Sequence, residues 1–166
     1  MSAINVDVDG IHIWAADRCG TNSCIGSNVD PIVKLDPDGN VVKSFGAGLI
    51  AWPPGMDVDS EGNVWVVDAR SANQRELQNF PNETNMGHAI FKFSPDGELL
   101  LTLGTPGETG DPPTHFTAPN DVLIAPDGSI FVAETHSAQF QDEPGPIAKS
   151  RISKFAPDGT FIMSFG

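Results

Sequence analysis

The chain has 166 residues, enough for one domain with a sizeable core, and its 17 glycines and 14 prolines suit a fold rich in turns. Nine basic residues against 22 acidic ones leave a net charge of −13, which argues against nucleic acid, since phosphate contacts need a basic surface. No apolar run reaches the 18 residues of a membrane-spanning helix, so no membrane span is expected.

In chain order, Val6-Asp7-Val8-Asp9 leads through Gly10 into Ile11-His12-Ile13-Trp14, and Ile32–Leu35 leads through Pro37-Asp38-Gly39 into Val41–Phe45. Short apolar runs around a glycine-containing turn predict β-hairpins. The pattern returns with Gly55–Asp59, the turn Ser60-Glu61-Gly62 and Val64–Asp68. Ala89–Phe93, the turn Pro95-Asp96-Gly97 and Leu99–Leu103 follow. The third copy is the most regular. Val122–Ile124 and Ile130–Ala133 flank Pro126-Asp127-Gly128, and Ile152–Phe155 and Phe161–Phe165 flank Pro157-Asp158-Gly159. No stretch shows sustained helical periodicity.

The copies are in register. Gly46, Gly104 and Gly166 close the three units, at spacings of 58 and 62 residues, and the turn prolines Pro37, Pro95 and Pro157 keep both intervals. Trp14, Trp65 and Phe131 share one position, each followed three residues on by an acid: Asp17, Asp68 and Glu134. A fixed order of elements with variable inserts marks a repeat architecture. A sandwich is the competing all-β reading, but sandwich strands do not repeat their sequence. The expectation is therefore an all-β, β-propeller fold of four-stranded blades. The approximate units are 4–46, 47–104 and 105–166, about three blades or half of a six-bladed ring. Three blades leave sheet edges and core open, which implies either further blades or self-association.

In such a unit the segments joining second to third strand and fourth to first strand share one face. The long segments Cys19–Pro31, Ala69–His88, Thr135–Ser150, Ala47–Pro53 and Thr105–Ala118 all fall there. Long loops on a rigid scaffold are where sites form. On that face Arg18 closes a strand, Arg70 and His136 stand just past strands, and Pro54 and Asn120 open strands. An ion pair with Asp17 or Asp30 is the bland reading of Arg18, and an exposed loop histidine that of His136. His12 and His88 read as structural. Cys19 and Cys24 fit a short disulfide loop in an oxidising compartment, or two free thiols; two thiols alone make a poor zinc site. Asn82-Glu83-Thr84 is a glycosylation-type sequon of low specificity. The acidic surface is compatible with calcium, a cationic ligand or plain solubility.

The stretches FTAPNDVLIAPDGSIFVAETH with SRISKFAPDGTFIMSFG, WPPGMDVDSEGNVWVVDA with HAIFKFSPDGELLLTLG, and Ile13–Gly20 resemble NHL repeats. More closely they resemble the six-bladed propeller of peptidyl-α-hydroxyglycine α-amidating lyase and its bacterial relatives. The resemblance spans nearly the whole chain. It implies cleavage of a C-terminal α-hydroxyglycine to a peptide amide and glyoxylate, in a secreted or periplasmic setting. It implies a zinc held by three histidines and a structural calcium on the axis. Arg18 matches the family's active-site arginine, and His136 stands where the family has its active-site tyrosine. The calcium carbonyls match Val6 and Met56. The family's first zinc histidine falls at Pro54, which has no metal-binding side chain, and the other two are expected beyond Gly166. Two functions stay open: a lyase-related propeller portion that takes a peptide, or a non-catalytic scaffold that binds a protein or small ligand on its loop face.

Overall fold

The computed structural model describes residues 1–134 and 150–166. Three four-stranded antiparallel sheets follow one another, each in simple up-and-down order. The first holds β1 (Ala3–Val6), β2 (Ile13–Ala16), β3 (Ile32–Leu35) and β4 (Val41–Phe45). The second holds β5 (Met56–Val58), β6 (Val64–Asp68), β7 (Ala89–Phe93) and β8 (Leu99–Leu103). The third holds β9 (Pro119–Ile124), β10 (Ile130–Glu134), β11 (Arg151–Phe155) and β12 (Phe161–Phe165). Along the inner side, β1 packs on β5 and β5 on β9. These are propeller blades that do not close into a ring.

The core lies between sheets. One cluster joins Trp14, Ala16 and Ile32 of the first sheet to Met56, Val64, Val66, Phe91 and Phe93 of the second. Another joins Trp65, Val67, Ile90 and Leu103 of the second to Val122, Ile130, Val132 and Phe155 of the third. The second sheet is thus covered on both faces, and all five residues of β6 are buried. Outer strands β4 and β12 bury no residue.

The tight turns hold the opposite face from the long loops. Gly39, Gly62, Gly97, Gly128 and Gly159 have φ between 81° and 88°, a region that favours glycine. Asp36 Oδ1 accepts from the backbone N–H groups of Asp38 and Asn40, and Asp59 Oδ1 does the same for Glu61 and Asn63. In every sheet the register slips just after one lysine: Lys34, Lys92 and Lys154. Those lysines lie 5.2 to 5.4 Å from the ring centres of Trp14, Trp65 and Phe131.

Two expectations need correction. The first strand of the first unit is Ala3–Val6, so Asp7–Ile11 is turn and not strand. Asp7 and Asp9 spend their carboxylates on it: Asp7 accepts from the Asp9 N–H and from Trp14 Nε1, and Asp9 from the N–H groups of Ile11 and His12. The segment Ala69–His88 contains a short helix, α1 (Gln74–Asn79). A capping box starts it, with Asn73 accepting from the Glu76 N–H and Glu76 accepting from the Asn73 N–H.

Candidate functional site: the Arg18 mouth

The acids that end the second strands organise the loop face. Asp68 is fully buried and accepts from the N–H groups of Ala51, Trp52 and Gly87 at 3.0, 2.7 and 2.7 Å. Burial pushes its carboxyl up to about 6, against the pull of those three donors. Glu134 accepts from the Thr117 N–H at 2.6 Å and from Arg151 Nε at 2.6 Å. Asp17 takes the N-terminal amine of Met1 at 2.8 Å. Each acid fastens the foot of the segment that enters the first strand of its own sheet.

A satellite apolar cluster of Ile25, Ala51, Trp52, Ala69 and Met86 underlies this face. Cys19 and Cys24 are joined by a disulfide, and the Cys24 N–H donates to the Ala51 carbonyl at 2.8 Å. The loop that begins at Arg18 is therefore pinned at both ends.

Arg18 lies flat on Trp52, its guanidinium carbon 3.4 Å from the ring centre. Nη1 donates to Asn22 Oδ1 at 2.9 Å and Nε to the Pro53 carbonyl at 3.4 Å. Burial, then the charge of nearby Arg70, draw its pKa below the ordinary arginine value. Arg70 is occupied, with two parallel bonds to Glu76 at 2.7 and 2.9 Å. Arg18 makes no ion pair with a carboxylate among the described residues. Asp17 is held by Met1, and Asp30 accepts from Ser44 and the Ala47 N–H. Arg18 lines a cavity of about 330 Å³ together with Met1, Ser2, Asp17, Gly20 and Asn22.

Pro53 joins the mouth through its carbonyl, which also accepts from Ser2 Oγ at 2.6 Å. Pro54 follows at the opening of the second sheet, and it brings no side-chain ligand. His136 lies outside the described residues. Met56 and Val6 are not equivalent positions. Met56 pairs with Val66 and Val6 with Ile13, which puts Val6 two residues farther toward the turn face. The Gly55 carbonyl accepts from the Val67 N–H, so by antiparallel alternation the Met56 carbonyl turns away from β6. Among the described residues, no group of three or more His, Cys, Asp or Glu is placed to hold a metal.

A larger cavity, about 520 Å³, opens on the turn face between the second and third sheets, lined by Asp59, Trp65, Lys92, Pro126 and Pro157 among others. Its main charges are already paired: Lys92 lies 3.3 Å from Asp59, and Trp65 Nε1 donates to Asp59 at 3.0 Å. The loop-face cavity is smaller but presents, in Arg18, a cation without a carboxylate partner among the described residues. Sequence reasoning placed Arg18 there and missed Trp52, whose loop lies over thirty residues along the chain.

No protein-family model matches the chain. A peptidyl-glycine α-amidating monooxygenase B of Xenopus laevis is 33% identical over 166 residues, 95% of this chain and 16% of the relative. A probable peptidyl-α-hydroxyglycine α-amidating lyase of Caenorhabditis elegans is 28% identical over 136 residues, 81% of this chain and 31% of the relative. The human NHL repeat-containing protein 3 is 26% identical over 66% of this chain and 29% of the relative. The chain is a homologue of the amidating lyases and of NHL-repeat proteins. It spans less than a third of the length of each of these relatives.

Among solved structures, the RRP9 WD40 repeats match with a TM-score of 0.58 at 12% identity, over 99% of this chain and 38% of that one. A catalytically inactive virginiamycin B lyase from Staphylococcus aureus, with quinupristin, matches at 0.51 and 14% identity, over 98% of this chain and 39% of that one. These likenesses concern the fold. In this amidating-lyase homologue the NHL-type unit explains the common layout of the three sheets.

Proposed function

We propose that the Arg18 mouth holds the carboxylate end of a peptide, as part of a propeller face related to the amidating lyases. One observation carries the reading: a planar guanidinium fixed on Trp52, bordering a cavity, with no carboxylate partner among the described residues. Such a group presents two parallel N–H donors that match a carboxylate. Trp52 supports its flat side, Asn22 and Pro53 hold its orientation, and the disulfide fixes the backbone beside it. A preset arginine loses little freedom on binding.

Cleavage of a peptidyl-α-hydroxyglycine would need a Lewis acid at the hydroxyl. The first family position for its ligands is Pro54, so no cleavage step is assigned to these residues. Pro54 also favours the second reading, a face that binds without cleaving.

The test compares a glycine-ending peptide as free acid and as amide, by calorimetry, against wild type, Arg18→Ala and Arg18→Lys. The acid should bind wild type more tightly than the amide. Arg18→Ala should weaken the acid by about 1.5–3 kcal/mol, roughly tenfold to a hundredfold, and erase the preference. Equal binding of acid and amide by wild type would refute the proposal. Glyoxylate release from a peptidyl-α-hydroxyglycine, with and without added zinc, separates binding from cleavage.

A further inference from the structure

We infer that the groove on the turn face, between the second and third sheets, is a docking site for a lysine-bearing segment of a partner polypeptide. It lies on the face opposite the Arg18 mouth and does not depend on the reading of that mouth.

The groove is the cavity of about 520 Å³ described above. Ser60, Glu61 and Trp65 give it one wall, and Pro126, Asp127 and Pro157 the other. Both walls come from adjacent sheets of the same chain.

The first junction shows what such a place accepts. Val8 and Ser60 are matching positions, each directly after the aspartate that accepts from its sheet's tryptophan indole. Gly62 and Gly128 are the matching turn glycines of the next sheet in each case. Val8 reaches across to the second sheet: its Cγ2 lies 3.2 Å from where a Cβ on Gly62 would be, with Pro95 at 3.5 Å. A Cβ on Gly128 would meet Pro157 of its own sheet at 3.0 Å but, among the described residues, no atom of the second sheet within 4 Å. Ser60 is too short to cross. Val8 is 58% exposed, so a seat of this kind is entered from solvent rather than built from core.

The charges point the same way. At the first junction Lys43 crosses from the first sheet to pair with Asp96 in a turn of the second. The strand registers put Leu101 at the place of Lys43, and Asp158 stands at that of Asp96, next to Pro157. The second junction therefore lacks both the crossing apolar side chain and the crossing cation, while the acid is present. Glu61 and Asp127 add two exposed carboxylates, and neither has an ion pair among the described residues. The groove's own cation, Lys92, is held by Asp59 at 3.3 Å. A lysine supplies what is missing: its stem covers apolar surface while its ammonium, a mobile point charge, reaches the acids. At the first junction two side chains, Val8 and Lys43, do this work together. A polypeptide offers such a pair from one backbone, and a simple amine does not.

The test uses the 166-residue chain and the end-capped peptide acetyl-Gly-Val-Lys-Val-Gly-amide, which has no carboxylate for Arg18. The three tryptophans make the indole N–H signals in nitrogen-15 correlation spectra a map: Trp65 reports the groove, Trp14 the first junction and Trp52 the Arg18 mouth. The peptide should shift the Trp65 signal to saturation and leave Trp14 and Trp52 in place. Ser60→Val, which copies Val8, should abolish the shift. Glu61→Gln combined with Asp127→Asn should weaken binding by roughly threefold to thirtyfold, as expected for two exposed ion pairs. Norleucine in place of the peptide's lysine should weaken it at least as much. An unmoved Trp65 signal, a shift that survives Ser60→Val, or equal binding of the norleucine peptide would overturn the inference. If Ser60→Val does not fold, the double carboxylate variant decides, and unchanged affinity there overturns it. Butylammonium that binds as tightly as the peptide would overturn the assignment to a polypeptide partner.

Discussion

Asp59 and Trp65, both buried, form with the half-buried Lys92 a trio whose members should prove energetically inseparable. Asp59 Oδ2 accepts from Trp65 Nε1 at 3.0 Å and faces Lys92 at 3.3 Å, while Oδ1 accepts from the Glu61 and Asn63 N–H groups. Burial opposes the charge, but bonds from Trp65, Asn63 and Lys92 outweigh it and hold the carboxyl below its ordinary range. The first sheet repeats the trio with Asp7, Trp14 and Lys34. The third has Ala125 and Phe131 at the two matching places and keeps Lys154. An indole N–H buried without an acceptor is costly, whereas phenylalanine needs none. Asp59→Ala should strand the indole and lose the charge-assisted bond, about 3–5 kcal/mol together. For a chain of this size, at about 2–4 °C per kcal/mol, Tm should fall by roughly 6–20 °C. Trp65→Phe alone should cost about 1–3 kcal/mol. The double variant recreates the third sheet's arrangement and should cost less than the sum by about 1–3 kcal/mol. Urea titrations of the four proteins give the coupling. Additivity within about 0.5 kcal/mol would refute the reasoning.

Asp68 and His88 set opposing pH dependences. Asp68 is raised from 3.8 to about 6 in the fold, so its contribution is present below pH 3.8 and is lost, by about 3 kcal/mol, as pH rises to 6. Burial lowers His88 from 6.5 to about 4, so its contribution is present above pH 6.5 and is lost, by about 3 kcal/mol, as pH falls to 4. Chemical denaturation between pH 4 and 6.5 should show Asp68→Asn losing stability on acidification and His88→Gln gaining it, with wild type nearly flat; parallel curves would contradict this. Reducing the Cys19–Cys24 disulfide should cost about 2 kcal/mol of stability by the loop-entropy estimate. It should also weaken peptide-acid binding at Arg18, and unchanged affinity after thiol treatment would count against a preset mouth. Gly55→Ala should destabilise by about 1–3 kcal/mol in thermal melts, because a Cβ there would lie 2.6 Å from Asp121 Oδ1 and 2.7 Å from the Asn120 carbonyl. A neutral result would mean that β5 and β9 separate freely.

The strands were legible wherever hydrophobic alternation met a glycine turn, and Ala89–Phe93, Leu99–Leu103 and Phe161–Phe165 need no adjustment. The first strand of the chain was misplaced because Val6 and Val8 alternate like a strand, while Asp7 and Asp9 hydrogen-bond like a turn. Periodicity does not see that competition. The helix at Gln74–Asn79 was short enough to escape a periodicity test, but its Asn73 and Glu76 are a readable capping box. At the site, Arg18 could be placed from its strand end. Its support by Trp52 depends on how the segment before β5 folds back, which Asp68 decides and no local pattern announces. The offset between Val6 and Met56 likewise follows from register, a property of paired strands.

Asp68 and Glu134 bind the feet of loops rather than their spans. What a loop does above its feet is thereby decoupled from the strands below. Segments of different length, such as Cys19–Pro31 and Ala69–His88, stand on the same scaffold without altering its register. The loop face is in this sense a set of interchangeable cassettes, and a foreign loop grafted between those feet should inherit a ready-made anchorage while the Trp-bearing turn side stays as it is.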